Sequence, residues 1–268
     1  MISNSTYQDV KRQIAELAAN RTKQLENEVL TASNMQAALQ KAKKITNSYH
    51  REYIPMVYSG LSRVGMNAID YYAPNLTEDQ KQRELTQALD SLTHNRYYGL
   101  TLPQRLAQSN QHLNYNLRRS SLVGAKPETR RLNITRVLSE PYPFGAHKSW
   151  DTRLFLAEAV RLEHELAQQL AHHKDVKFVK WTRSKGHVHE DICDKLARAV
   201  DKEVEAMLPP GIKPDGVYFI DKVPPVPHPN CQCVIKYVGQ KHVPVTSVGK
   251  ASKQSLIQRI LSSIFRNR

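Results

Sequence analysis

The chain has 268 residues and a mass of 30.6 kDa, with 39 Lys and Arg against 25 Asp and Glu, a formal charge of +14 and a pI near 9.7. That length allows one large domain or two modest ones with a core of their own, and only 10 glycines argue against a loop-rich all-β protein. No apolar run approaches the roughly 18 residues of a membrane span, and the opening MISNSTYQDVKRQ lacks the layout of a signal peptide, so an integral membrane protein and a disulfide-stapled secreted domain are both set aside.

The first 45 residues read as one long helix, kinked or bundled. Tyr7, Val10, Ile14, Leu17, Ala18, Leu25 and Val29 recur at helical spacing, and Arg21 and Gln24 interrupt a strict heptad seam. Further helices are expected over 51–71, 77–92, 102–117 and 127–138. Thr77-Glu-Asp-Gln80 has the form of a capping box, and Pro103 sits where a first-turn proline would. Two prolines and a glycine then break the pattern at 139–145. A strong helix is expected over 150–171, with Leu154, Leu156, Ala157, Val160, Leu162, Leu166 and Leu170 on its apolar face. After it the period shortens. Val176, Phe178 and Trp181 suggest a strand, a helix is expected over 190–208 before Pro209-Pro210-Gly211, and 216–220 and 233–238 read as further strands.

The basic charge is concentrated late. Residues 222–268 contain no Asp or Glu but eight basic side chains, among them Lys241, Lys250, Lys253, Arg259, Arg266 and Arg268. Such a stretch suits phosphate or an acidic partner. Within it, Leu256, Ile257, Ile260, Leu261, Ile264 and Phe265 form one face of an amphipathic segment, which could dock on a partner or on its own domain.

All three cysteines lie in the last third, in two patches: His187-Val-His189-Glu-Asp191-Ile-Cys193-Asp194 and His228-Pro-Asn-Cys231-Gln-Cys233. Thiolates and imidazoles in two short clusters are the donor set of a tetrahedral zinc site, and four protein ligands would leave no open position. Catalytic alternatives fit poorly. The final histidine of a binuclear His-x-His-x-Asp-His site is missing, and the His-x-Glu and Pro-Cys-x-x-Cys of a zinc deaminase are absent. There is no Gly-x-x-x-x-Gly-Lys phosphate loop and no Gly-x-Ser-x-Gly elbow. The expected fold class is α+β, mainly α: a helical region over 1–173, a small zinc-stabilised α+β module over 174–240, and a basic amphipathic tail over 241–268.

The blocks Trp181-Thr-Arg-Ser184, His187, Asp191-Ile-Cys-Asp194, Gly216-Val-Tyr218 and Pro224-Pro-Val-Pro-His228-Pro-Asn-Cys-Gln-Cys233 occur in that order. Together they resemble the C-terminal module of phage head morphogenesis proteins, the minor head proteins of the Mu F-like family, over about 174–238. The resemblance implies a zinc ligand set drawn from His187, Cys193, His228, Cys231 and Cys233, with His189 as a substitute. The favoured four are His187, Cys193, His228 and Cys231.

The resemblance also implies a virion structural protein and not an enzyme. It would associate with the portal protein and capsid and with packaged double-stranded DNA, without sequence preference. It would reside in the phage head after assembly in the host cytoplasm, with its oligomeric state in the virion left open. The alternatives are a sequence-independent nucleic-acid-binding protein with a structural zinc site, or a metal-dependent hydrolase or toxin.

Overall fold

A computed structural model of the protein describes residues 4–97, 99–120, 150–183, 191–226 and 233–239, with residues 126, 128, 129, 132 and 136. Among the described residues, five long helices are delimited first: α1 Asn4–Leu30, α2 Met35–Tyr72, α3 Glu78–His94, α4 Leu102–Ser120 and α5 Trp150–Leu170. A 3-10 turn at Ala171–Lys174 leads to β1 Phe178–Thr182. Two short helices follow, α6 Ile192–Arg198 and α7 Lys202–Met207, then β2 Val217–Phe219, a 3-10 turn at Ile220–Lys222 and β3 Val234–Tyr237. The protein is therefore mainly helical with one small antiparallel sheet of order β2-β1-β3. Among the described residues, no helix is long and apolar enough to cross a membrane.

Capping chemistry sets the helix boundaries. The single helix expected over the first 45 residues is two, because Asn34 accepts a hydrogen bond from the Ala37 N–H at 2.9 Å and starts α2 afresh. α2 runs on through Pro55, which has no N–H to give to the ladder. The capping box at α3 forms: Gln80 N–H donates to Thr77 Oγ1, and Thr77 N–H donates to Gln80 Oε1. The helix expected over 190–208 is divided into α6 and α7. Asp201 caps α7 by accepting from the N–H groups of Glu203 and Val204, and the Gly216 N–H takes the Ala199 carbonyl between the two. Of the helix expected over 127–138, the described residues 128, 129, 132 and 136 are helical. The proline break at 139–145 and the tail from residue 241 lie outside the described residues.

The chain gathers into two units. One holds Ser5–Gly60 and the described part of Thr93–Phe155. Val10, Ile14, Leu25, Val57 and Phe155 are buried in it, together with a polar cluster. There the Asp151 carboxylate accepts from the Tyr49 hydroxyl at 2.5 Å and from Arg21 at 3.4 Å, and the Arg21 guanidinium lies 4.1 Å from the centre of the Tyr49 ring. Burial first, and the neighbouring Asp151 charge next, push the Tyr49 hydroxyl well above the ordinary tyrosine range.

The other unit holds Leu61–Leu92 and the described part of Leu156–Lys253, so the sheet shares a unit with the last turns of α2, most of α3 and most of α5. Gly65 of α2 allows close packing, since a Cβ there would run into Leu85 of α3 and lie 3.3 Å from Leu162 of α5. Two tyrosines tie sheet to helices. The Tyr72 hydroxyl donates to the Ile235 carbonyl and the Tyr237 hydroxyl to the Ala167 carbonyl, both at 2.7 Å, and the two rings meet at 4.9 Å. Phe178, Val204 and Val217 form a small apolar cluster that seats α7 against the sheet.

Candidate metal centre

The centre is built from β1, the middle strand. Val179 pairs with both Tyr218 and Tyr237, and Thr182, the last residue of β1, pairs with Val234, the first of β3. That register brings Cys233 to the C-terminal end of β1. Arg183 follows Thr182 and gives its guanidinium to the carboxylate of Asp194. Asp194 is the neighbour of Cys193 in the first turn of α6. Both described cysteines are therefore at the same end of the sheet, with side chains 0% and 1% exposed for Cys193 and Cys233.

The Asp-x-Cys-Asp block has a local physical cause. Asp191 accepts from the Cys193 N–H at 2.7 Å, and its own N–H donates to Asp194 Oδ2 at 3.0 Å, which makes a reciprocal capping box. Asp194 is buried, takes Arg183 and has Arg198 3.9 Å away. Its carboxylate is committed to holding the start of α6 and the end of β1, which leaves it poorly placed for general-base work.

Gly216 and Tyr218 are structural too. Gly216 has φ +67°, and a Cβ there would sit 2.6 Å from the Ala197 carbonyl oxygen. The Trp181 N–H donates to the Gly216 carbonyl at 2.7 Å, and the Tyr218 hydroxyl donates to the Leu196 carbonyl at 2.7 Å. These three residues dock α6 on the sheet and so place Cys193.

His187, His189, His228 and Cys231 lie outside the described residues, within 184–190 and 227–232. Both segments join the described chain at this end of the sheet. The first leaves from Arg183 and returns at Asp191, and the second returns at Cys233. Lys241, Lys250, Lys253, Arg259, Arg266 and Arg268 also lie outside the described residues. Of the earlier basic residues in the acid-free stretch, Lys222 pairs with Glu203 at 3.1 Å and Lys236 sits opposite Lys180 in the sheet.

The pattern of the sequence did not single out His164. This α5 residue is buried, and its Nε2–H donates to the Cys233 carbonyl at 2.9 Å. Its ring stands edge-on to Trp181 with centroids 5.0 Å apart. Burial lowers its pKa to about 4, so the ring is neutral at physiological pH. The one available signal was a polar pair, Glu163-His164, inside the apolar run of α5; both side chains are buried.

Cys193 and Cys233 are both buried, on backbone held by the Asp191 cap and the His164 hydrogen bond, and thiolate is a donor type that suits zinc. Comparison with protein-family models, with curated proteins and with solved structures finds no match to this chain.

Proposed function

We propose that the chain is a phage minor head protein of the Mu F-like kind, a virion component without enzymatic activity that works at the portal and on packaged DNA during head morphogenesis or DNA delivery. Its C-terminal module carries one structural zinc, held by Cys193 with His187, His228 and Cys231; Cys233 and His189 are the substitutes. The supporting observation is the convergence of the motif blocks. Trp181, Arg183, Asp191 to Asp194, Gly216 and Cys233 lie at the C-terminal end of β1, and Tyr218, opposite Val179 further back in the sheet, sends its hydroxyl to the Leu196 carbonyl of α6. A motif whose members shape a fold suits a structural protein better than a catalyst. The net charge of +14 agrees, since a cation of this size is drawn to DNA phosphate without reading bases.

The test is the protein inventory of phage particles purified from the host that carries the gene. Peptides of this chain should co-sediment with heads that contain the portal protein. Their absence from both filled heads and procapsids would contradict the assignment.

A further inference from the structure

Glu84 of α3 meets His172 and His173 of the 3-10 turn after α5, inside the unit that holds the sheet. One ligand atom from each residue lies within 4.8 Å of the other two. His173 Nε2 is 3.0 Å from Glu84 Oε1. That contact is a ring N–H to carboxylate hydrogen bond. Two donor atoms each about 2.1 Å from a shared ion stand about 3 Å apart at an octahedral angle, so an ion that displaces the bridging proton would meet the pair at coordination spacing. The two imidazoles lie side by side, with centroids 4.0 Å apart.

The surroundings fix this geometry. Gln169 Nε2 donates to the Glu84 carbonyl at 3.1 Å and also to Glu84 Oε2, which leaves Oε1 turned toward His173. The turn bearing the histidines is closed by Asp175, a non-glycine residue at φ +50°, and by the Val176 N–H, which donates to the Ala171 carbonyl. A carboxylate oriented by an outer amide and two imidazoles on a closed turn are features shared with built metal sites.

We propose that Glu84, His172 and His173 bind a divalent first-row transition ion, with water completing its coordination. Two imidazole nitrogens and one carboxylate oxygen favour zinc, nickel or cobalt over magnesium or calcium, which prefer all-oxygen shells. Three protein ligands with exposed histidines leave positions open to an exogenous ligand. The ion would also clamp α3 to the end of α5. This site shares no residue with the cysteine centre, so neither depends on the other.

The test titrates the full chain with CoCl2 and with NiCl2, following heat and visible absorption. Wild type should bind one ion that the His172→Ala/His173→Ala double variant does not. Glu84→Gln should weaken that event at least ~10-fold, and Gln169→Leu, which removes only the positioning amide, should weaken it by about 10–100-fold. The Cys193→Ser variant should retain the event, and the difference between the cobalt spectra of wild type and the double-histidine variant should lack sulfur-to-metal charge transfer. Both histidines are exposed, so their replacement leaves buried packing untouched; far-ultraviolet circular dichroism should be unchanged. Identical titrations for wild type and the double-histidine variant would overturn the proposal, as would uptake that vanishes entirely with the cysteine.

Discussion

The guanidinium of Arg183, the residue after β1, closes on the buried carboxylate of Asp194 in the first turn of α6. The pair sits beside Cys193, and the same carboxylate accepts the Asp191 N–H. One side chain thus anchors both the helix cap and the strand end that frame the cysteine.

Asp194→Ala should therefore loosen this corner. The loss combines a helix cap, about 1 kcal/mol, with an ion pair whose arginine is partly in water, worth about 1 kcal/mol after screening. A drop of about 2 kcal/mol in urea unfolding is expected, with faster alkylation of Cys193 in the native state. Unchanged alkylation would mean that Asp194 does not protect the thiol.

Two glycines with similar backbones should respond differently to a methyl group. Gly216 and Gly211 both have positive φ, +67° and +88°, but a Cβ meets the Ala197 carbonyl at the first and nothing within 4 Å at the second. Gly211→Ala should cost about 1 kcal/mol from the backbone alone. Gly216→Ala should cost about 2–3 kcal/mol, because α6 must also shift. Equal effects in parallel urea titrations would remove the close approach as the reason for Gly216.

Tyr237 predicts an alkaline weakness. Its hydroxyl is buried against the Ala167 carbonyl, and burial raises its pKa above the ordinary value of 10.0. The folded state keeps a proton that the unfolded state loses. Stability is therefore complete below about pH 10 and falls as pH rises beyond it, by up to about 1.4 kcal/mol per pH unit for one group. Tyr237→Phe should cost about 1 kcal/mol at neutral pH and flatten the decline above pH 10. Urea midpoints at pH 8 and 11 for both proteins read this out.

The tail predicts a salt dependence. Lys222 is engaged with Glu203, so the basic residues beyond 240 carry the expectation of phosphate contact. Each phosphate neutralised on duplex DNA contributes about 0.9 to the slope of log K against log salt. Deleting 240–268 removes Lys241, Lys250, Lys253, Arg259, Arg266 and Arg268. If roughly four of the eight basic residues over 222–268 reach phosphate, about three of those contacts fall in the deleted part, and the slope should fall by about 2–3. An unchanged slope, with loss of entry into heads, would assign the tail to portal docking.

Much of the helical frame was legible because its signals are local. Thr77 and Gln80 lie one turn apart and cap as their spacing predicts. All three strands fall where the alternation places them. The break at Asn34 was hidden because helical spacing continues on both sides of a side chain that can cap or simply face solvent. Asp201 hid in the same way inside the 190–208 pattern. Within the candidate centre, the Asp-x-Cys-Asp block was readable because cap and cysteine are neighbours. His164 was not, since a lone histidine in an amphipathic helix gives no sign that Cys233, 69 residues later, needs its N–H. Glu84 and His173 are 89 residues apart, and tertiary packing alone makes them partners.

On the proposed function, a metal bound through cysteine ties the C-terminal module together. X-ray absorption at the zinc edge tests it most directly, on the His172→Ala/His173→Ala protein purified without added metal so that only this centre is counted. The expected result is about one zinc per chain with sulfur scatterers at about 2.3 Å and nitrogen at about 2.0–2.1 Å. Zinc surrounded only by nitrogen and oxygen, or no zinc at all in folded protein whose three cysteines react freely, would contradict it.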